Sequence, residues 1–234
     1  MSFEIIAAEE SPIGMICLRR REVASSPGES AFEITVDHQF LMSSLVTASE
    51  RALADRALEV HGGTGLGVLI GGPGLGDTAQ SALASPRAAR VEVVELLPQV
   101  IGWLERGLIP LAAELRGDPR LTITQDDVYR RLLAPPELRH DVILLDVDTS
   151  PDRRLGEVSV PFYGEAGLDA CAAHLAPGGV LAVWSSDESQ DFEQVLRNVF
   201  ERVKVEPIDF MNEMLNDEET NWLYFATSPR RPPP

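Results

Sequence analysis

At 234 residues the chain is long enough to bury one substantial core, and 44% hydrophobic with 24% charged residues is an ordinary globular balance. A formal net charge of −17 argues against a nucleic-acid partner, because phosphate contacts need clustered lysine and arginine. No apolar run approaches a membrane span, and MSFEIIAAEE is too acidic for a signal peptide, so a cytoplasmic protein with no membrane partner is expected.

Cys17 and Cys171 lack metal-ligand spacing and read as free buried thiols, and no metal is expected. Lys204 is the only lysine, a bias that points to a GC-rich bacterial genome rather than to a function. Net acidity suits a cationic substrate such as a polyamine, although it also serves solubility alone.

In chain order, Phe3–Ala8, Ile13–Arg19 and Ala31–Val36 read as strands of a small antiparallel sheet, separated by Ser-Pro and Ser-Ser-Pro-Gly turns. Leu45–Val60 carries apolar residues at helical spacing and stops at His61-Gly62-Gly63. From Gly67 onward strands (67–71, 91–95, 121–124, 141–146, 179–184) alternate with helices (78–85, 98–115, 127–133, 164–175, 188–202). Such alternation predicts an α/β, Rossmann-like, mostly parallel sheet wound on both faces. Val203–Phe210 and Trp222–Thr227, joined by a polar loop at 212–221, then make an antiparallel C-terminal edge, completing seven strands. The expected division is 1–43 for the β appendage and connecting segment, 44–228 for the main domain, and 229–234 for a disordered tail.

Ligands of such sheets bind beyond the carboxyl ends of the strands. That rule selects Gly71, Gly72, Gly74, Gly76 and Asp77 after the first strand, then Glu95 and Leu96 at the second. It also selects Gln125, Asp126 and Asp127 after the third strand, and Asp146, Val147 and Asp148 after the fourth. Glycines let a backbone approach a ligand, a helix N-terminus offers free N–H groups, and an acid about 20 residues on accepts both hydroxyls of a ribose. A nicotinamide dinucleotide is the rival ligand. The ordered acids and the Leu-Ala-Pro-Gly-Gly before the fifth strand favour S-adenosylmethionine.

These motifs resemble the spermidine synthase family within the class I S-adenosylmethionine-dependent methyltransferase fold. VLIGGPGLGDTA is similar to the family's VLxIGGGDGGTxRE, and VEVVELLPQVI to its VxxVEIDPxVI. ITQDDVYRRL and HDVILLDVDTSP stand where the family has GDGxxFL and YDxIIxDxxDP, and PFYGEAGLDACAAHLAPGGVLAVWS matches LYTxEFYxxxxxxLxPGGxxxxQ. The resemblance implies that Glu95 binds ribose, that Asp126 with the backbone around Asp127 and Val128 meets adenine, and that Gly71–Gly76 pass beneath the methionine part. It implies that Asp146 faces the reacting amine and that the chain forms a homodimer.

The departures set the functional expectation. Gly74 stands where the family has an aspartate near the amine end of decarboxylated S-adenosylmethionine, and Thr149 or a shifted Asp148 replaces the second acid of DxxDP. The expectation is therefore an S-adenosylmethionine-dependent methyltransferase acting on a small molecule, such as a carboxylate O-methyltransferase of a specialised bacterial pathway. The alternatives are a polyamine aminopropyltransferase using decarboxylated S-adenosylmethionine, and a non-catalytic partner protein of the same fold. Asp146, Asp148 and His38 are the candidate catalytic groups. Ser43, Ser44, Tyr163 and Trp184 are candidate acceptor contacts, each also readable as a cap or packing residue. His140 falls at the opposite end of the sheet and reads as structural.

Overall fold

The computed structural model describes residues 3–23, 28–147, 149–152, 161–212 and 217–230. Its first four strands, β1 (Phe3–Ser11), β2 (Gly14–Glu22), β3 (Ser30–Val36) and β4 (Gln39–Ser43), form an antiparallel sheet in that order. β4 corrects the reading of residues 37–43 as a mere connecting segment. Val36 pairs with Gln39, and Asp37 and His38 adopt φ of 46° and 68°, the left-handed pair that a two-residue hairpin turn needs. The Asp37 carboxylate holds the turn by accepting from the Met15 N–H at 2.8 Å.

The chain continues through α1 (Ala48–His61), β5 (Leu66–Gly71), α2 (Asp77–Ala84), β6 (Ala88–Glu95), α3 (Pro98–Glu105), α4 (Ala112–Gly117) and β7 (Leu121–Gln125). It then forms α5 (Val128–Leu133), β8 (His140–Leu145), α6 (Glu165–Ala173), β9 (Leu175–Ser185), α7 (Gln190–Val199), β10 (Phe200–Asn212) and β11 (Asp217–Pro229). The seven-stranded sheet has the order β10-β11-β9-β8-β5-β6-β7, parallel except for β11, which runs antiparallel to both its neighbours. The α/β sheet with an antiparallel C-terminal edge is as expected.

Sequence explains why β5 sits centrally. Every residue of LGVLIG is buried, and its pleat serves two cores at once. Val68 and Ile70 pack with α1 to α4, whereas Leu69 packs on the other face with α5, α6 and α7. Val142 and Leu144 against Ile143 and Leu145 repeat the alternation on β8. Ile16, Leu18 and Ile34 of the small sheet join the first core, and Trp103 Nε1 donates to Glu9 Oε1 at 2.8 Å, tying α3 to β1.

Three expectations are corrected. The helix read at 98–115 is two helices, because Gly107 takes φ 75° and Pro110 has no N–H to continue a helical ladder. The described residues of the polar loop read at 212–221 are strand. Phe210 pairs with Glu219 and Asn212 with Asp217, so the hairpin runs past Ser185, where β9 ends opposite Trp222. The tail begins later than read: β11 reaches Pro229, and the Arg230 N–H donates to the Val199 carbonyl at 2.8 Å. Residues 231–234 lie outside the described residues, as do Asp148 and Asn216.

Candidate active site

β5 is the switch point of the sheet, with β8 on one side and β6 on the other, and the glycine turn leaves its carboxyl end. Gly72 has φ 79°, and a Cβ there would lie 2.7 Å from the Asp146 carbonyl oxygen. Only glycine lets the turn press against the loop after β8. The close approach opens two cavities that share Leu41, Met42, Gly74, Asp146 and Val147.

The first cavity, about 230 Å³, is mostly apolar and lies over the ends of β5 and β6. Ile13, Ile16 and Ile34 of the small sheet roof it, and Leu96, Leu97, Val128 and Tyr129 line its far side. Glu95 is its acid. Its Oε1 accepts from the Leu97 N–H at 2.6 Å, and the residue is 8% exposed. Burial pushes its carboxyl up to about 7, only partly offset by the N–H groups of Leu97 and Leu96. Leu96 is 46% exposed, a large apolar side chain left at the rim. A buried acceptor without a cation, in an apolar slot, fits the paired hydroxyls of a nucleoside ribose.

The second cavity, about 320 Å³, is lined by Glu50, Asp77, Asp146 and Glu219, and by no basic residue among those described. Asp146 accepts from the Thr78 hydroxyl at 3.0 Å, and burial pushes its carboxyl up to about 6. Asp77, at the start of α2, accepts from Arg51 at 2.9 Å. Burial raises its carboxyl above the usual range despite that partner. Glu50, in the first turn of α1, is pushed up to about 8, first by burial and then by the negative charge of Asp146. Its Oε2 accepts from the Ser49 hydroxyl at 2.8 Å. Trp184 Nε1 and Asn221 Nδ2 donate to that same hydroxyl at 2.9 and 2.8 Å. The outer wall is the overhanging end of the hairpin, where Phe210, Asn212, Glu219 and Asn221 reach beyond β9. Four carboxylates on one cavity wall, of which Asp77 alone is paired with an arginine among the described residues, suit a positively charged ligand.

The structure gathers most of the residues read from sequence. Gly72, Glu95, Leu96, Asp127 and Val128 line the first cavity, Asp77, Ser43 and Trp184 the second, and Gly74 and Asp146 both. Gly71 and Gly76 shape the turn from behind: a Cβ would meet Leu145 and Val128 at the one and Leu115 at the other. Other candidates fall elsewhere or serve local structure. His38 is exposed at the tip of the β3–β4 turn and lines neither cavity. Asp126 lines neither cavity, and the adjacent Arg130 takes its carboxylate and holds it below the usual range. Asp127 does reach the first cavity, and it caps α5 by accepting from the Tyr129 N–H at 2.9 Å. Ser44 accepts from the Phe32 N–H at 3.0 Å and braces the small sheet. Tyr163 is buried among aromatic rings, its hydroxyl 2.8 Å from that of Tyr129. His140 is buried at the opposite end of β8, as expected.

Sequence reasoning missed Glu50 and the hairpin wall. An acid in the first turn of a helix reads as a partner of the helix dipole, and nothing local shows that this one faces a cavity.

Sheet order, switch point and glycine turn together define a Rossmann-like α/β fold. Comparison with solved structures narrows it to the fold of spermidine synthases. A spermidine synthase in complex with the transition-state analogue AdoDATO superposes with a TM-score of 0.75 at 20% identity, covering 95% of this chain and 73% of that one. The spermidine synthase of Thermotoga maritima gives 0.75 at 19%, covering 95% and 72%, and a probable spermidine synthase of Corynebacterium glutamicum gives 0.65 at 20%, covering 96% and 80%.

Among curated proteins, a polyamine aminopropyltransferase of Prochlorococcus marinus (strain AS9601) is 28% identical over 137 residues, 58% of this chain and 46% of that protein. Polyamine aminopropyltransferase 2 of Streptomyces coelicolor is 33% identical over 124 residues, 52% of this chain and 22% of that protein. The chain thus spans at most about half the length of these relatives. No protein-family model matches. The expectation of methyl transfer, drawn from Gly74, is overturned by these names, which are those of aminopropyltransferases throughout. Gly74 misled because it showed a carboxylate missing from the turn, and the turn alone could not show the carboxylates that the fold brings beside it.

Proposed function

We propose that the protein transfers an aminopropyl group from decarboxylated S-adenosylmethionine to an amine acceptor. The observation that carries this reading is the acid-lined second cavity, which shares Gly74 and Asp146 with the nucleoside-type cavity. A space lined by four carboxylates, and by no basic residue among those described, suits two amines, the donor's primary ammonium and the acceptor. The names of the relatives support the same reading.

Glu95 would hold the ribose hydroxyls, while Val128 and Tyr129 would pack against the base. Asp146, common to both cavities, stands where the acceptor nitrogen would meet the donor carbon. Its carboxylate takes the proton that the acceptor ammonium must lose before its lone pair can attack. The nitrogen then bonds to the methylene carbon next to sulfur as the carbon–sulfur bond breaks. The bonding pair stays on sulfur and leaves neutral methylthioadenosine. The walls contribute chiefly alignment and exclusion of water.

The test is incubation of the purified chain with decarboxylated S-adenosylmethionine and a panel of diamines, with mass spectrometry of the products. The expected result is equimolar methylthioadenosine and an acceptor heavier by one aminopropyl unit. If no amine is modified and methylthioadenosine does not bind, the reading fails.

A further inference from the structure

Gly74 leaves the turn without the carboxylate that the resembled motif sets against the donor's ammonium end. Gly74 lines both cavities, so no side chain of its own projects into their junction. Glu50 lines the same second cavity from α1, with Asp77 and Asp146. Asp77 already pairs with a cation, Arg51, and Asp146, held by the Thr78 hydroxyl, is shared with the first cavity. Among the described residues no cation pairs with Glu50, and its side-chain partner is the Ser49 hydroxyl.

That hydroxyl is held from three elements. A serine oxygen offers two lone pairs and one proton. Trp184 of β9 and Asn221 of β11 donate to the lone pairs, so the single proton is left for Glu50 Oε2. Ser49 is fully buried, and the arrangement leaves it no other use. It fixes the Glu50 carboxylate at the cavity wall, close enough to Asp146 for their charges to repel. A cation bound at Glu50 would offset that repulsion.

We propose that Glu50 binds the primary ammonium of the aminopropyl donor, supplying from α1 the carboxylate that the glycine turn lacks at Gly74. The proposal rests on the aminopropyl-transfer reading. It assigns Glu50 to the donor, leaving Asp146 and the hairpin's Glu219 for the acceptor.

Calorimetric titration of the full chain with two probes separates the roles. Methylthioadenosine carries the nucleoside without the ammonium, and decarboxylated S-adenosylmethionine carries both. In Glu50→Gln, affinity for decarboxylated S-adenosylmethionine should fall about 10- to 100-fold, with methylthioadenosine within about twofold of the parent chain. Ser49→Ala should weaken the same ligand less, again sparing methylthioadenosine, because the carboxylate remains but loses its fixed direction. In Glu50→Gln/Gly74→Asp, a carboxylate returned to the turn should restore part of the loss. Unchanged affinity of Glu50→Gln for decarboxylated S-adenosylmethionine would overturn the proposal, and so would equal loss of both ligands, which would mark Glu50 as structural. A parent chain that binds neither ligand would remove the aminopropyl-transfer reading itself.

Discussion

At the scale of single residues, Glu95 and His38 show how differently two side chains translate from sequence to site. Glu95 was legible because its place depends only on the end of a strand and the turn before it. Replacing it with Gln keeps the shape but removes the charge that would draw two hydroxyls. Affinity for methylthioadenosine should then fall about 100-fold by calorimetry, and an unchanged value would sink the ribose assignment. Its carboxyl titrates near 7 in the ligand-free chain and must be ionised to accept both hydroxyls. Nucleoside binding at pH 6 should therefore release a proton, and affinity should rise with pH until about 7 and then level off. Identical binding heats in two buffers of different ionisation enthalpy would contradict this. His38 was legible only as a titratable residue near a connecting segment, and the hairpin took it elsewhere. With φ 68° in an exposed turn, His38→Gly should leave turnover unchanged and stabilise the fold by up to about 1 kcal/mol, read from denaturant midpoints.

At the scale of elements, strands and turns with strong local signals were read correctly, and those that depend on partners were not. The glycine turn is dictated by its own sequence, because the left-handed positions at Gly72, Gly74 and Gly76 favour residues without a Cβ. Gly72→Ala should destabilise the chain by about 2–4 kcal/mol in chemical denaturation, since the added carbon would meet the Asp146 carbonyl at 2.7 Å. It should also weaken nucleoside binding, because the loop carrying Asp146 would move. The β10–β11 hairpin illustrates the opposite case. The segment 212–221 is polar and reads as a loop, yet Asn212 and residues 217–221 pair strand to strand, and Thr220 Oγ1 donates to Asp209 across the hairpin at 2.7 Å. Cross-strand partners, not intrinsic preference, decide such a segment.

At the scale of the whole molecule, the site carries an electrostatic cost that pH reveals. Glu50, Glu95 and Asp146 titrate near 8, 7 and 6 when folded, against ordinary values of 4.5, 4.5 and 3.8. Each binds its proton more tightly in the folded chain. The stability they contribute is thus complete below about pH 4 and is lost as pH rises through 6 to 8. Asp118 and Asp126, held low by Arg120 and Arg130, act in the opposite sense at acid pH. The ligand-free chain should therefore melt several degrees lower at pH 8 than at pH 5.5, and Glu50→Gln should flatten that slope. A melting temperature independent of pH over this range would refute the crowding of ionised carboxylates. By itself the sequence determined the wound α/β sheet, the glycine turn and the acid at the next strand end, because periodicity, turn chemistry and short spacing are local properties. Only the tertiary structure decided what lines the second cavity. Ser49 meets Trp184 135 positions away and Asn221 172 positions away, and a chamber walled from such distances exists only once the chain has folded.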